Sequence, residues 1–225
     1  NRFLSDHFAW AAAEVMAGNS IPVFIPPRSV PTPIIAFAIR KLGTAGAVMI
    51  TASHNPPEYN GIKYIADFAG PALPEETNAI EDNLHKVIET GEIKRIQRHK
   101  AKDLGLWNEF DPFPAYKEHL KDLIDASIIN TAGLKIVADP LYGAGAGYLE
   151  EVLKELGCEV ISIHNFRDPL FGGSMPDPVE KNLAVLREQV VSTGADLGLA
   201  LDGDGDRFGV IDKTGRFFSP NEILF

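Results

Sequence analysis

Ala47-Val48-Met49-Ile50-Thr51-Ala52-Ser53-His54-Asn55-Pro56-Pro57-Glu58-Tyr59-Asn60-Gly61-Ile62-Lys63-Tyr64-Ile65 reads as an apolar strand, a loop of turn residues and a second strand. Just upstream, residues 21–25 form a short apolar run closed by Pro26-Pro27. Pro31-Thr32-Pro33 then opens a helical face of Ile34, Ile35, Phe37, Ala38, Ile39 and Leu42 that ends at Gly43. Strand, helix, strand is the rhythm of an α/β domain. In open α/β sheets ligands collect at the carboxyl ends of the strands. The loop after Thr51 sits at such an end and carries Ser53, His54 and Lys63, so it is the first candidate for a reaction centre.

Working outward, residues 6–17 read as an alanine-rich helix, and Ile80, Leu84, Val87 and Ile88 mark another by their i, i+4, i+7, i+8 spacing. Residues 91–113 change character. A basic run of Lys94, Arg95, Arg98, Lys100 and Lys102, read as a solvated face, gives way to Leu104-Gly105-Leu106-Trp107 and Asp111-Pro112-Phe113-Pro114, which reads as a connection between domains. Tyr116, Leu120, Leu123 and Ile124 mark a helix. From Leu134 the rhythm restarts: strand 134–139, helix 145–156, strand 159–163, helix 180–192 and strand 196–202, then a hairpin turning at Asp212-Lys213-Thr214-Gly215. Gly143-Ala144-Gly145-Ala146-Gly147 does not match a dinucleotide fingerprint and reads as a close-packed helix entry. The fold class is therefore α/β: two consecutive α/β domains with mixed or parallel sheets, over residues 1–110 and 111–225.

The chain has 225 residues and a formal charge of −10, which argues against a surface that tracks nucleic-acid phosphates. The single cysteine, Cys158, permits no internal disulfide and reads as a buried thiol in a reducing, cytoplasmic setting. The apolar run at 8–13 is far shorter than the roughly 20 residues of a membrane span. The chain opens on Asn1, and the capping box Ser219-Pro220-Asn221-Glu222 has only three residues after it. Both features lead to the expectation of a piece of a longer protein, with the first domain incomplete at its amino end and the last helix cut.

A second stretch, Asp202-Gly203-Asp204-Gly205-Asp206-Arg207, puts three carboxylates and an arginine in six positions. At separations of ~4 Å and an effective dielectric near 20, each pair repels by about 4 kcal/mol, so three ionised groups cost on the order of 10 kcal/mol. A divalent cation with oxygen ligands offsets this, and Mg²⁺, which keeps open positions for phosphate or water, suits it. An EF-hand would place glycine and glutamate where Arg207 and Lys213 stand. Arg207 fits a guanidinium that grips phosphate oxygens.

Ser53 lacks a nucleophile elbow, and His54, its immediate neighbour, is badly placed as a triad base. A phosphate on Ser53 would instead bring about −1.5 to −2 charges and be a natural ligand for the cation of the acidic loop. Lys63 and His54 would then move protons or stabilise charge on the moving group.

The pair T-A-S-H-N-P-P-E-Y-N-G-I-K and D-G-D-G-D-R is similar to the α-D-phosphohexomutase family, the phosphoglucomutases and phosphomannomutases. The resemblance extends to Asn1-Arg2-Phe3-Leu4-Ser5, Val30-Pro31-Thr32-Pro33, Asp139-Pro140-Leu141-Tyr142-Gly143-Ala144-Gly145 and Asp168-Pro169-Leu170-Phe171-Gly172-Gly173. It implies reversible transfer between the 1- and 6-oxygens of a hexose phosphate, glucose or mannose, through a sugar 1,6-bisphosphate. It makes Ser53 the phosphoserine, and has Asp202, Asp204 and Asp206 hold Mg²⁺ with the Ser53 phosphate. Arg207 would contact the phosphoserine region, and Lys63 and His54 would serve proton transfer or charge stabilisation. The family has four domains, so this chain would be the amino-terminal fragment, lacking the carboxy-terminal domains that hold the sugar and inactive when isolated. Two rivals are a phosphatase with an aspartate nucleophile, whose D-x-D-x-T pattern Arg207 breaks, and a non-catalytic phosphate- or metal-binding module.

Overall fold

The structure, a computed structural model, describes residues 2–224. The chain begins with helix α1 (Ser5–Gly18), strand β1 (Val23–Ile25), helix α2 (Thr32–Leu42), and strands β2 (Gly46–Ile50) and β3 (Ile62–Ala66). Helices α3 (Pro74–Thr90) and α4 (Arg98–Asp103) and strand β4 (Trp107–Glu109) follow. A proline in the first turn starts α2, and Gly43, in the left-handed conformation that glycine adopts without strain, ends it. β2 and β3 pair antiparallel with Ile50 opposite Ile62, so residues 51–61 form a long hairpin loop closed by the Thr51 N–H on the Gly61 carbonyl at 3.0 Å.

One expectation fails in this half. Residues 91–113 do not form a connection: β4 runs parallel to β1 with Trp107 opposite Val23. Trp107 is buried with Ala13, Ala17 and Ala101, and Val23, Ile25, Ile96 and Leu106 pack around them. A buried Trp removes ~200 Å² from water, worth at most about 5 kcal/mol, which is why a three-residue strand with no visible period is nonetheless fixed. The stripe of Ile80, Leu84, Val87 and Ile88 has the expected helical period but remains exposed. Local chemistry starts α3 instead: the Leu73 N–H donates to Glu76 Oε2 at 2.8 Å, and Glu75 and Glu76 sit at the positive helix end.

Among the described residues β1 pairs only with β4 and β2 only with β3, so the first half holds two two-stranded sheets. Between them lies a groove of about 880 Å³ whose walls include Val23, Ile25, Ile39, Ala47 and Met49.

The second half begins with α5 (Phe113–Leu123) and α6 (Ala126–Ala132), then β5 (Lys135–Asp139), α7 (Tyr148–Glu155) and β6 (Glu159–Ser162). It ends with α8 (Ala184–Thr193), β7 (Leu197–Leu201), β8 (Phe208–Asp212), β9 (Phe217–Phe218) and α9 (Pro220–Leu224). Its five strands form one sheet in the order β6-β5-β7-β8-β9, with β6, β5 and β7 parallel and β8 and β9 antiparallel. Successive residues of β5 feed opposite faces, as the strand period requires. Val137 packs with Leu186, Val190 and Ile211, whereas Ile136 and Ala138 pack with Leu153 and Cys158. α7 starts at Tyr148, three residues later than expected, and a 3₁₀ turn at Glu180–Asn182 precedes α8. The Ser219–Glu222 capping box is present: Ser219 N–H donates to Glu222 Oε2 at 2.9 Å. Among the described residues no helix is long and apolar enough to cross a membrane.

The two halves meet where Val30 and Ile34 pack against Phe113 and Tyr148. At the same seam the Thr32 N–H donates to the Asp204 carbonyl at 2.8 Å. This contact sets the hairpin loop of the first half opposite the β7–β8 turn of the second.

Candidate active site

Thr51, buried at the end of β2, starts the site. Its Oγ1 accepts from the Ser53 N–H at 2.9 Å and donates to Asp204 Oδ2 at 3.2 Å. That local turn holds Ser53 at φ 50°, left-handed for a residue with a Cβ, and aims its hydroxyl out of the loop. Ser53 Oγ donates to Asp202 Oδ2 at 3.2 Å, which joins the two candidate loops directly. Close approach also needs Gly203, because a Cβ there would come within 2.7 Å of the Ser53 carbonyl oxygen.

Asp202, Asp204 and Asp206 offer carboxylate oxygens within 4.8 Å of one another. Asp202 and Asp204 are fully buried, and Asp206 is exposed. Asp202 Oδ1 accepts from the Asp206 and Arg207 N–H groups at 2.9 and 3.0 Å, so the turn folds around it. Asp204 Oδ2 accepts from Thr32 Oγ1 at 3.1 Å, from Thr51, and from Lys63 Nζ at 3.3 Å. Lys63 also reaches Asp206 Oδ2 at 3.3 Å. Asp204 Oδ1 is buried with no hydrogen-bond partner.

Burial, and then the neighbouring Asp204 charge, push the Asp202 carboxyl up to about 7. At Asp204 burial opposes ionisation, but Lys63 and the hydrogen bonds outweigh it and hold that carboxyl below its ordinary value. Burial lowers Lys63, and the charges of Asp204 and Asp206 more than restore it, so its ammonium is raised above the ordinary value. Lys63 is therefore a fixed cation at neutral pH. It supplies part of the counter-charge that the sequence reading assigned wholly to a metal.

A buried carboxylate oxygen with no donor costs about 1–3 kcal/mol or more. A cation placed between the three carboxylates would satisfy Asp204 Oδ1, and the all-oxygen donor set suits Mg²⁺. The residues present fit that ion.

Ser53, His54, Lys63, Asp202, Asp204 and Asp206 thus come together. Arg207 contributes its backbone N–H, while its side chain is exposed. His54 Nδ1 lies 3.4 Å from Ser53 Oγ, long for a hydrogen bond, and the hydroxyl turns to Asp202 instead. Sequence reasoning missed Thr32 and Thr51, which read as ordinary helix-start and strand-end residues. It also missed Arg2, whose guanidinium donates to the carbonyls of Ser53, Asn55, Pro56 and Tyr59 at 2.7–2.8 Å. Their links to the site, Asp204 for the two threonines and the Ser53 loop for Arg2, span long stretches of chain and leave no local signal. The glycines at 143–147 act in packing: a Cβ on Gly143 would meet the Asp202 and Pro140 carbonyl oxygens at 2.8 Å, and one on Gly145 would meet the Leu201 side chain.

Residues 1–90 match the phosphoglucomutase/phosphomannomutase alpha/beta/alpha domain I, and residues 114–215 match domain II. The chain is 38% identical over 194 residues to a phosphoglucomutase/phosphomannomutase of Thermococcus kodakarensis, covering 86% of this chain and 41% of that protein. It is 36% identical over 201 residues to a phosphoglucosamine mutase of Synechocystis, covering 87% and 39%. The crystal structure of a Thermus thermophilus protein assigned as a phosphomannomutase superposes with a TM-score of 0.88 at 36% identity, over 99% of this chain and 49% of that one. The chain spans about two fifths of the length of the curated relatives it matches. With both halves matched in order, and the serine and acidic loops facing each other between them, the chain belongs to the phosphoglucomutase/phosphomannomutase family.

Proposed function

We propose that this chain is the phosphoryl-carrying and metal-holding portion of a phosphohexomutase that interconverts hexose 1-phosphate and hexose 6-phosphate. The observation that carries the reading is the Ser53 Oγ–Asp202 contact of 3.2 Å across two separately folded loops, beside the unpartnered Asp204 Oδ1. Asp202, Asp204 and Asp206, with the phosphate on Ser53, would hold Mg²⁺, which when bound neutralises charge on phosphoryl oxygens.

In the forward step a sugar hydroxyl attacks the phosphorus on Ser53. The new sugar O–P bond forms as the P–Oγ bond breaks, giving a hexose 1,6-bisphosphate. The hydroxyl's proton leaves to a base and Ser53 Oγ regains one. His54, whose Nδ1 lies 3.4 Å from Oγ, would serve that exchange once it closes on the phosphorylated serine. Lys63, held as a cation, clamps the transferring group electrostatically. Arg207, exposed at the turn, is available to phosphate oxygens. Return of the other phosphate to Ser53 after the bisphosphate turns over completes the isomerisation. Positioning and charge supply most of the rate, as phosphoryl transfer needs little other covalent help.

The boundary between the two units is placed at residues 110 and 111, and further parts of the same polypeptide would grip the sugar. On its own the chain would therefore bind the metal and take no sugar through a full cycle, and its setting would be the cytoplasm. A phosphatase with an aspartate nucleophile is disfavoured because Asp202 and Asp204 are fully buried.

The test is the conversion of hexose 1-phosphate to hexose 6-phosphate by the full-length polypeptide with catalytic hexose 1,6-bisphosphate and Mg²⁺. Ser53→Ala should lower turnover by at least about 10³-fold, and retained activity would overturn the phosphoserine reading.

A further inference from the structure

Arg2 has no role in the chemistry described above, yet it is 1% exposed and among the largest fully buried side chains. A buried guanidinium must have its donors satisfied, and Arg2 meets this demand in an unusual way. Nη1 donates to the carbonyls of Pro56 and Tyr59, both at 2.8 Å, and Nη2 to those of Ser53 at 2.8 Å and Asn55 at 2.7 Å. All four acceptors belong to the loop that carries Ser53. That loop contains two prolines without N–H groups, and its own backbone bonds are few: Asn55 N–H to Ala52 and Tyr59 N–H to Pro56. Beside the Thr51 turn, the Thr51–Gly61 closure and the Asn60 contacts to Phe3 and Ser5, Arg2 supplies four further bonds that shape it from outside.

The Ser53 carbonyl that Arg2 grips is the same oxygen that packs against Gly203 of the acidic loop. The other side of Arg2 faces the second half of the molecule. Its guanidinium carbon lies 5.1 Å from the centroid of the Phe171 ring, a cation–π contact. Phe171 is 1% exposed and sits at φ 51°, followed by Gly172 at φ 64°. Asp168 ties this tight turn by accepting from the N–H groups of Leu170 and Gly172, both at 2.9 Å. From the same segment Arg167 donates to the Arg2 carbonyl at 3.2 Å. The Asp168-Pro169-Leu170-Phe171-Gly172-Gly173 motif, which has no other assignment, thus presents an aromatic face to the residue that shapes the Ser53 loop.

We propose that Arg2, seated on Phe171, is a positioning residue that fixes the Ser53 loop in register with the Asp202–Asp206 turn, the proposal resting on the phosphoserine reading given above. A lysine could not replace it, because an ammonium has three donors and no planar fork to span four carbonyls.

The test uses Arg2→Lys and Phe171→Leu in the full-length polypeptide, with two readouts. The first is single-turnover transfer of phosphate from hexose 1,6-bisphosphate to Ser53 in Mg²⁺, alongside KM for the hexose phosphate. Misplacing a reacting group by about 1 Å can cost on the order of 100-fold, so Arg2→Lys should slow transfer by about 10- to 100-fold, with KM within about twofold. Phe171→Leu should change the rate in the same direction by a smaller factor. The second readout is hydrogen exchange at the amides of residues 54–60, which requires no activity. It should accelerate at least about tenfold in both variants relative to β5 and β7. Wild-type transfer rates with unchanged exchange would overturn the proposal, as would a rise in KM that accounts for the whole loss. If Arg2→Lys does not fold, Phe171→Leu decides by the same two readouts. If wild-type Ser53 takes no phosphate, the phosphoserine reading fails and the exchange result alone decides the role of Arg2.

Discussion

Asp204 joins more of the site than any neighbouring residue. One carboxylate oxygen accepts from Thr32, Thr51 and Lys63, and the other is buried and unpartnered. Replacing it with Asn keeps the shape and removes the charge. Asp204→Asn should raise the Mg²⁺ concentration for half-maximal turnover of the full-length polypeptide by about 10- to 100-fold, and an unchanged metal response would exclude it from the ligand set. Thr51→Val should lower stability to denaturant by about 1–3 kcal/mol, because it strips the Ser53 N–H of its acceptor and Asp204 of a donor. The residues that were legible in the sequence are those whose chemistry is concentrated locally: three aspartates in five positions, and a serine beside a histidine. Thr32, Thr51 and Arg2 were not, because each acts on a partner between 51 and 172 positions away. Only folding makes such residues neighbours.

At the scale of elements, the loop after β5 supports the acidic turn. The Ala144 N–H donates to the Gly203 carbonyl at 2.9 Å, and Gly143 leaves no space for a Cβ against the Asp202 carbonyl. Gly143→Ala should therefore destabilise the fold by about 1–3 kcal/mol and weaken Mg²⁺ binding measured by calorimetry, whereas wild-type affinity would separate the two loops. The end of β5 is held by His164 Nδ1 at 3.0 Å from buried Asp139. The hydrogen bond to Asp139 raises the His164 pKa above its ordinary 6.5, against the opposing effect of burial. A group raised in the folded state contributes stability that is complete below about 6.5 and fades as pH rises through the higher folded value. His164→Gln should flatten that decline in thermal stability above pH 6.5, and an identical pH slope would show that the pair carries no linkage. The βαβ rhythm was readable because its apolar runs are long enough to show a period. β4 was not readable, because three residues have none and Trp107 is fixed by tertiary packing.

In the whole molecule, two α/β units contribute one loop each to a single site. The order of elements and the pairing of serine and acidic loops were legible in the sequence, but the seam was not. Val30 and Ile34 against Phe113 and Tyr148, with Arg2 between Ser53 and Phe171, set the distance between the loops. β4 pairs with β1 and its Trp107 is buried, so Trp107→Ala should cost about 3–5 kcal/mol and open residues 91–110 to protease while the sheet around β5 stays protected. Cleavage in that segment of the wild type at the same rate would mean that the β4 pairing does not protect it. The central claim is that Ser53 carries the phosphoryl group facing Asp202, Asp204 and Asp206. Its most direct test is intact-mass and phosphopeptide mapping of the full-length polypeptide after incubation with hexose 1,6-bisphosphate and Mg²⁺. One phosphate on Ser53, absent from Ser53→Ala, is the expected result; phosphate on an aspartate of the 202–206 turn, or none at all, would contradict it.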